Sequence, residues 1–262
     1  MKFSCCIEML FTEYPFVERV YQAKKAGFDA VEFWTWEDKD LAALKKALGE
    51  TGLEVGVFQG NMGGRMVDAG DRAVYIEGVK RSAEAAGRLG AKALFLMSDI
   101  LREDRSVLEA DKPLAPEEKL ENARAVLEEL APIGRDAGIC FLIEPLNTLV
   151  DHRGYSLCKS APAFRLVKEL HSPNVKVLYD AYHMQIMEGN IIDAIRAHIE
   201  EIGYFHMADV PGRCEPGTGE MNYRNILKAL ESAGYKGTVG FEFSPSQGDS
   251  AAAIAKTWAQ LK

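Results

Sequence analysis

Short runs rich in β-branched, aromatic and other apolar residues alternate with amphipathic stretches of helical period from one end of the chain to the other. The runs predict strands over 3–8, 30–34, 54–59, 93–98, 140–144, 175–180, 204–206 and 238–242. The intervening stretches predict helices near 15–26, 38–49, 70–89, 115–137, 161–170, 188–201, 222–233 and 248–261. Stop signals support several of them. Gly27 follows Lys24-Lys25-Ala26, Gly90 follows Arg88-Leu89 and Gly138 follows Arg135-Asp136-Ala137, each glycine suited to the left-handed residue that ends a helix. Pro116 stands where the first turn of a helix tolerates a missing N–H.

Eight strands, each followed by a helix, is the count for a closed parallel barrel, so we expect a single (β/α)8 domain over 1–262. An open doubly wound sheet is the competing architecture, but the first strand–helix turn lacks GxGxxG and no P-loop occurs. No linker, low-complexity segment or short repeat divides the chain.

In a parallel barrel the carboxyl ends of all strands converge on one mouth, where barrel enzymes hold their sites. Here those ends carry Glu8, Glu32, Gln59, Ser98, Glu144, Asp180, His206 and Glu242. An ionisable residue finishing each of the last four strands is hard to explain as solvation. Structural ion pairs are the competing reading, yet few Lys or Arg lie at those ends. Three carboxylates and an imidazole aimed at one point would repel and protonate if left alone, and a divalent cation removes that cost. An O3N donor set with room for water suits Mn2+, Mg2+ or Co2+, whereas zinc would usually recruit more His or Cys.

After the seventh strand comes a loop dense in Pro and Gly, with Asp209, Arg213, Glu215 and Glu220, which reads as a rim of the site. Arg213 has the chemistry for a forked grip on a carboxylate, or is a solvated surface charge. His183, three residues past Asp180 on the expected βα loop, can hydrogen-bond a substrate oxygen or a neighbouring backbone group. Trp34 and Trp36 can wall a pocket or simply pack.

Charge and cysteine usage narrow the function classes. A net charge of −8 disfavours a nucleic-acid partner. The apolar start at 3–10 is broken by Glu8 and lacks the features of a signal peptide, and no run is long enough to span a bilayer. Five cysteines without a CxxC pair point to free thiols and a cytosolic (cytoplasmic) protein with no membrane partner.

The segment Asp209-Val-Pro-Gly-Arg-Cys-Glu-Pro-Gly-Thr-Gly-Glu-Met-Asn-Tyr223, with Glu144-Pro-Leu-Asn147 and Tyr179-Asp-Ala-Tyr-His183, resembles the hydroxypyruvate isomerase family of the xylose-isomerase-like TIM barrels. The resemblance spans the chain by order of elements. It implies one divalent metal held by Glu144, Asp180, His206 and Glu242, a small-molecule sugar or sugar-acid substrate, and a homodimer or homotetramer. Many hydroxypyruvate isomerases carry Gln at the third ligand position, where His206 matches the ketose epimerases instead. Conversely, those epimerases place a Glu six residues past the first ligand, where this chain has Val150 followed by Asp151.

The implied chemistry converts hydroxypyruvate to tartronate semialdehyde, or isomerises a 2-oxo-tetronate, by proton transfer through an enediolate. One of Glu144 and Glu242 would take the proton and the other return it, making these the catalytic pair. His183 and Arg213 would bind substrate, with Glu32 and Gln59 lining the pocket. The alternatives are a ketose 3-epimerase or other sugar isomerase, an endonuclease IV-like nuclease, and a sugar-acid binder without turnover.

Overall fold

The computed structural model describes residues 1–110 and 112–261. Its strands are β1 (Lys2–Cys6), β2 (Ala30–Phe33), β3 (Glu54–Gln59), β4 (Ala93–Leu96), β5 (Cys140–Ile143), β6 (Val175–Asp180), β7 (Ile202–Met207) and β8 (Thr238–Phe241). Each pairs in parallel with the next, and β8 pairs back onto β1, so the sheet closes as the expected barrel. The outer ring comprises α1 (Phe16–Lys25), α2 (Leu41–Thr51), α3 (Arg72–Leu89), α4 (Pro116–Ala137), α5 (Ser160–Leu170), α6 (Ala181–Met187), α7 (Ile191–His198), α8 (Tyr223–Ser232) and α9 (Ser250–Leu261). No helix among the described residues is long and apolar enough to cross a membrane.

Strands in this setting are buried on both faces, which is why their sequences read as continuous apolar runs. Successive side chains alternate between two cores. Val57, Phe95, Leu142, Leu178 and Tyr204 form a small cluster inside the barrel. Their strand neighbours, such as Phe58, Leu94, Phe141 and Phe205, belong to the large core beneath the helices.

Two departures from the sequence expectation bear on function. β1 stops at Cys6, so Glu8 lies past the strand, and its carboxylate pairs with Lys39 at 3.0 Å. The helix expected at 188–201 forms as α7, and a further short helix, α6, fills the stretch expected to be a loop. Asp180 caps α6 by accepting from the backbone N–H groups of Tyr182 and His183, which starts a helix immediately after β6. Gly189 and Asn190, at φ +66° and +51°, then separate α6 from α7. His183, expected on a loop, therefore sits in a helical first turn with a fixed direction.

Candidate active site

Register sets the heart of the site. Asp180 pairs with His206 across β6 and β7, and His206 with Gly240 across β7 and β8. Glu144 and Glu242 each follow the last residue of a strand, their N–H groups still donating to Leu96 and Met207 carbonyls of the neighbouring strands. The last four strands thus bring Glu144, Asp180, His206 and Glu242 together. One ligand-capable atom from each lies within 4.8 Å of all the others, and all four residues are buried.

The electrostatics of this cluster are unbalanced. Burial pushes the Glu144 carboxyl up to about 7, against the pull of His206. Burial likewise pushes Asp180 up to about 6, although Arg213 and His206 oppose it. Glu242 is buried too, but the Arg213 guanidinium at 2.6 Å and His206 hold it well below the usual carboxylate range. Burial disfavours the His206 imidazolium, yet Glu32 and Glu242 outweigh that and raise it well above its ordinary value. His206 Nδ1 faces Glu242 at 3.2 Å and Glu144 at 3.6 Å without an aligned hydrogen bond. Such a donor set, with two acids pushed toward protonation, fits a divalent cation.

His183 is fully buried, and its Nδ1 lies 3.1 Å from the backbone N–H of Asn147, which donates to it. The ring is therefore the tautomer carrying hydrogen on Nε2, which lies 3.5 Å from Asp180 and has no hydrogen-bond partner. Burial, reinforced by Arg213, lowers its pKa well below the ordinary histidine value, leaving a neutral donor. Asn147 is itself held by Asp151, whose carboxylate also accepts from Tyr182. Sequence inspection singled out His183 but not Asn147; the pattern of Asn followed by Asp four residues on was the available signal.

A cavity of about 370 Å3 opens onto the cluster, a size suited to a small molecule. Gln59, His183 and Arg213 line it. Glu32 does not line it. Its buried side chain stands behind His206, 3.0 Å from Nε2, because its strand position points it into the barrel interior. Trp34 reaches the cavity and donates to Glu242 at 3.0 Å, whereas Trp36 packs away from it and bonds Ser82. Arg102 and Arg105, two cationic residues without a motif or periodicity to mark them, also line the cavity.

The model of the xylose isomerase-like TIM barrel family matches residues 20–261. This chain belongs to that family. Among relatives, 2-oxo-tetronate isomerase of Cupriavidus necator is 32% identical over 257 residues, covering 95% of both chains. Hydroxypyruvate isomerase of Escherichia coli is 32% identical over 254 residues, covering 94% of both. A solved structure from Brucella melitensis, named AP endonuclease, family 2, superposes with a TM-score of 0.88 at 30% identity, covering 99% of each chain.

In this xylose isomerase-like TIM barrel the loop after β7 folds around Asp209. One of its oxygens accepts from Gly217 and Thr218 N–H groups, the other from Val210 and Met221. Gly219 leaves room for this, since a Cβ there would collide with the Val210 carbonyl. Of the loop's charged residues only Arg213 turns into the cavity, over the Tyr182 ring. Glu215 is pinned to Ser246 and Lys256, and Glu220 faces outward to Gln185.

Proposed function

We propose that this chain is a metal-dependent isomerase of a short hydroxy-oxo acid. It would convert hydroxypyruvate to tartronate semialdehyde, or a 2-oxo-tetronate to its isomer. The observation that carries this reading is the convergence of Glu144 and Glu242 with Asp180 and His206 at one end of a small cavity, in a chain whose relatives carry those two isomerase names.

One Mn2+, Mg2+ or Co2+ ion held by Glu144, Asp180, His206 Nδ1 and Glu242 would supply Lewis-acid polarisation of a carbonyl oxygen and the adjacent hydroxyl. The chain's own residues then move the proton. One of Glu144 and Glu242 takes it from the hydroxyl-bearing carbon, leaving an enediolate; the hydroxyl proton passes to the former carbonyl oxygen, and the other Glu returns a proton to the neighbouring carbon. The His183 Nε2–H points where it can donate to a substrate oxygen as charge develops. Trp34 fixes the outer oxygen of Glu242 and helps exclude water.

Cavity charge favours an acidic substrate. Arg102, Arg105 and Arg213 line the cavity, against the acids Asp99, Glu144 and Glu242, of which the last two would be neutralised by a bound cation. Arg213 is already engaged by Glu242 at 2.6 Å and Asp180 at 3.8 Å, which leaves Arg102 and Arg105 to meet a substrate carboxylate. His206 at the third ligand position is the observation that favours a neutral ketose instead. Against it, Val150 points to solvent and the Asp151 carboxylate is bound to Asn147 and Tyr182, so neither supplies an extra acid in the cavity.

The test is an NMR-followed screen of hydroxypyruvate, 2-oxo-tetronates and ketoses, with added Mn2+ and after chelation. We expect turnover and solvent-deuterium incorporation at the hydroxyl-bearing carbon with the acids, lost in Glu242→Gln and on chelation. Replacing both Arg102 and Arg105 by Ala should raise KM for the acids by ~10–100-fold, the value of a charge-assisted pair, while leaving any neutral substrate untouched. Turnover of ketoses alone would transfer the assignment to the epimerases, and turnover unaffected by metal removal would end it.

A further inference from the structure

Glu32 is a carboxylate inside a barrel whose other interior side chains are mostly apolar, and it is only 2% exposed. Its two oxygens divide their partners. Oε2 accepts the Tyr204 hydroxyl at 2.5 Å, and Oε1 stands 3.0 Å from His206 Nε2. That second contact is an ion-pair approach and not yet an aligned hydrogen bond: both atoms are buried and have no other hydrogen-bond partner among the described residues. Each is the complement the other lacks, and a buried polar atom left without one is costly. On the opposite edge of the same ring, Nδ1 faces Glu144 and Glu242.

Two glycines leave space for this arrangement. A Cβ on Gly240, the register partner of His206, would lie 2.5 Å from Glu32 Oε2 and 2.6 Å from both Oε1 and His206 Cδ2. A Cβ on Gly56 would collide with the Tyr204 hydroxyl and lie 2.9 Å from Ser4 Oγ. Neither glycine has a positive φ, so close approach and not backbone freedom explains them. Two strands of the barrel thus lack a side chain where the phenol, the carboxylate and the imidazole meet.

From this we infer that Glu32 and Tyr204 are positioning residues for His206. Tyr204 orients Glu32, and Glu32 holds the Nε2–H edge of the ring so that the Nδ1 lone pair is presented to the cavity. The inference rests on the metal reading proposed above and extends it to groups that touch neither ion nor substrate. An imidazole ligand whose far nitrogen donates to a carboxylate is fixed in tautomer and direction and is a stronger donor.

The experiment measures metal binding directly, in the full chain stripped of metal and titrated with Mn2+ by calorimetry, together with the visible absorption of the Co2+ form. Glu32→Gln keeps size and shape but replaces an acceptor by an amide. We expect Mn2+ affinity to fall 10–100-fold and the Co2+ spectrum to change, with helical circular dichroism retained. Tyr204→Phe removes one oxygen and should weaken Mn2+ severalfold. Wild-type affinity and an unaltered Co2+ spectrum in Glu32→Gln would overturn the inference while leaving the metal reading intact. A wild-type chain that binds neither Mn2+ nor Co2+ would overturn both. Should Glu32→Gln fail to fold, Tyr204→Phe decides, and unchanged affinity and spectrum in that variant would overturn it.

Discussion

Two groups of buried acids in this barrel have opposite characters. Asp209 is completely buried, and its two oxygens accept four backbone hydrogen bonds from its own loop. Glu215 is buried beside it, with the Ser246 N–H and hydroxyl and the Lys256 ammonium holding its carboxyl below the usual range despite burial. Glu144 and Asp180 are as deeply buried, and there burial pushes both up, with the neighbouring acids adding to it against the pull of His206 and Arg213. A buried carboxylate whose oxygens meet N–H donors is a structural device. One that faces further carboxylates across a cavity is destabilising as it stands, and such residues cluster where function requires them.

Four measurements would break or sharpen that distinction. The largest effect is expected at the cluster: Glu144→Gln or Glu242→Gln should lower kcat by ~10²–10⁴-fold, the range of a lost general acid or base, with the melting temperature of Glu144→Gln unchanged or raised and that of Glu242→Gln lowered by the loss of its Arg213 pair. A variant that kept its rate would remove that residue from the proton-transfer pair. The mirror result is expected at the loop. Asp209→Ala leaves four N–H groups without their acceptor, and we expect a loss of about 3 kcal/mol or more by urea unfolding; a loss below ~1 kcal/mol would show that the loop does not depend on Asp209.

A pH series comes next. The folded, metal-free chain binds protons at Glu144 up to about 7 and at Asp180 up to about 6, against ordinary values of 4.5 and 3.8. Between those limits the folded state holds more protons than the unfolded one, so these two groups make stability fall as pH rises from about 4 to 7. Comparing wild type with Glu144→Gln isolates the effect: the wild type should lose melting temperature relative to the variant across that window, and saturating Mn2+ should cancel the loss. Parallel curves would contradict the assigned direction. The smallest effect is expected at Glu220, whose exposed side chain reaches only Gln185. Glu220→Ala should change stability by less than ~0.5 kcal/mol and leave turnover unaltered, and a large change would mean that the outer loop contributes more than its contacts indicate.

Much of this was readable along the chain, for definite reasons. Glu144, Asp180, His206 and Glu242 were legible because each closes an apolar run, and in a parallel barrel run ends share one face. His183 and Gln59 could be placed in the cavity by the same rule. Glu32 could not. It shares the inward-facing parity of Trp34, which reaches the cavity, but stands two residues deeper in the strand, behind His206. Arg213 was recognised as a loop cation, while its engagement by Glu242 depends on a partner 29 residues away. Arg102 and Arg105 lie in a stretch with no periodicity, where position relative to the mouth follows from loop geometry alone.

Sequence by itself determined the barrel, the order of its elements and the four side chains at its mouth, because burial on both faces and a fixed strand direction are local constraints repeated eight times. Tertiary structure decided which charges neutralise one another, which tautomer His183 adopts and which acids are left unsatisfied. Those outcomes depend on atoms placed within a few ångströms by segments far apart in the chain, such as Trp34 against Glu242 and Tyr204 against Glu32, and Coulomb and hydrogen-bond energies vary steeply over that distance.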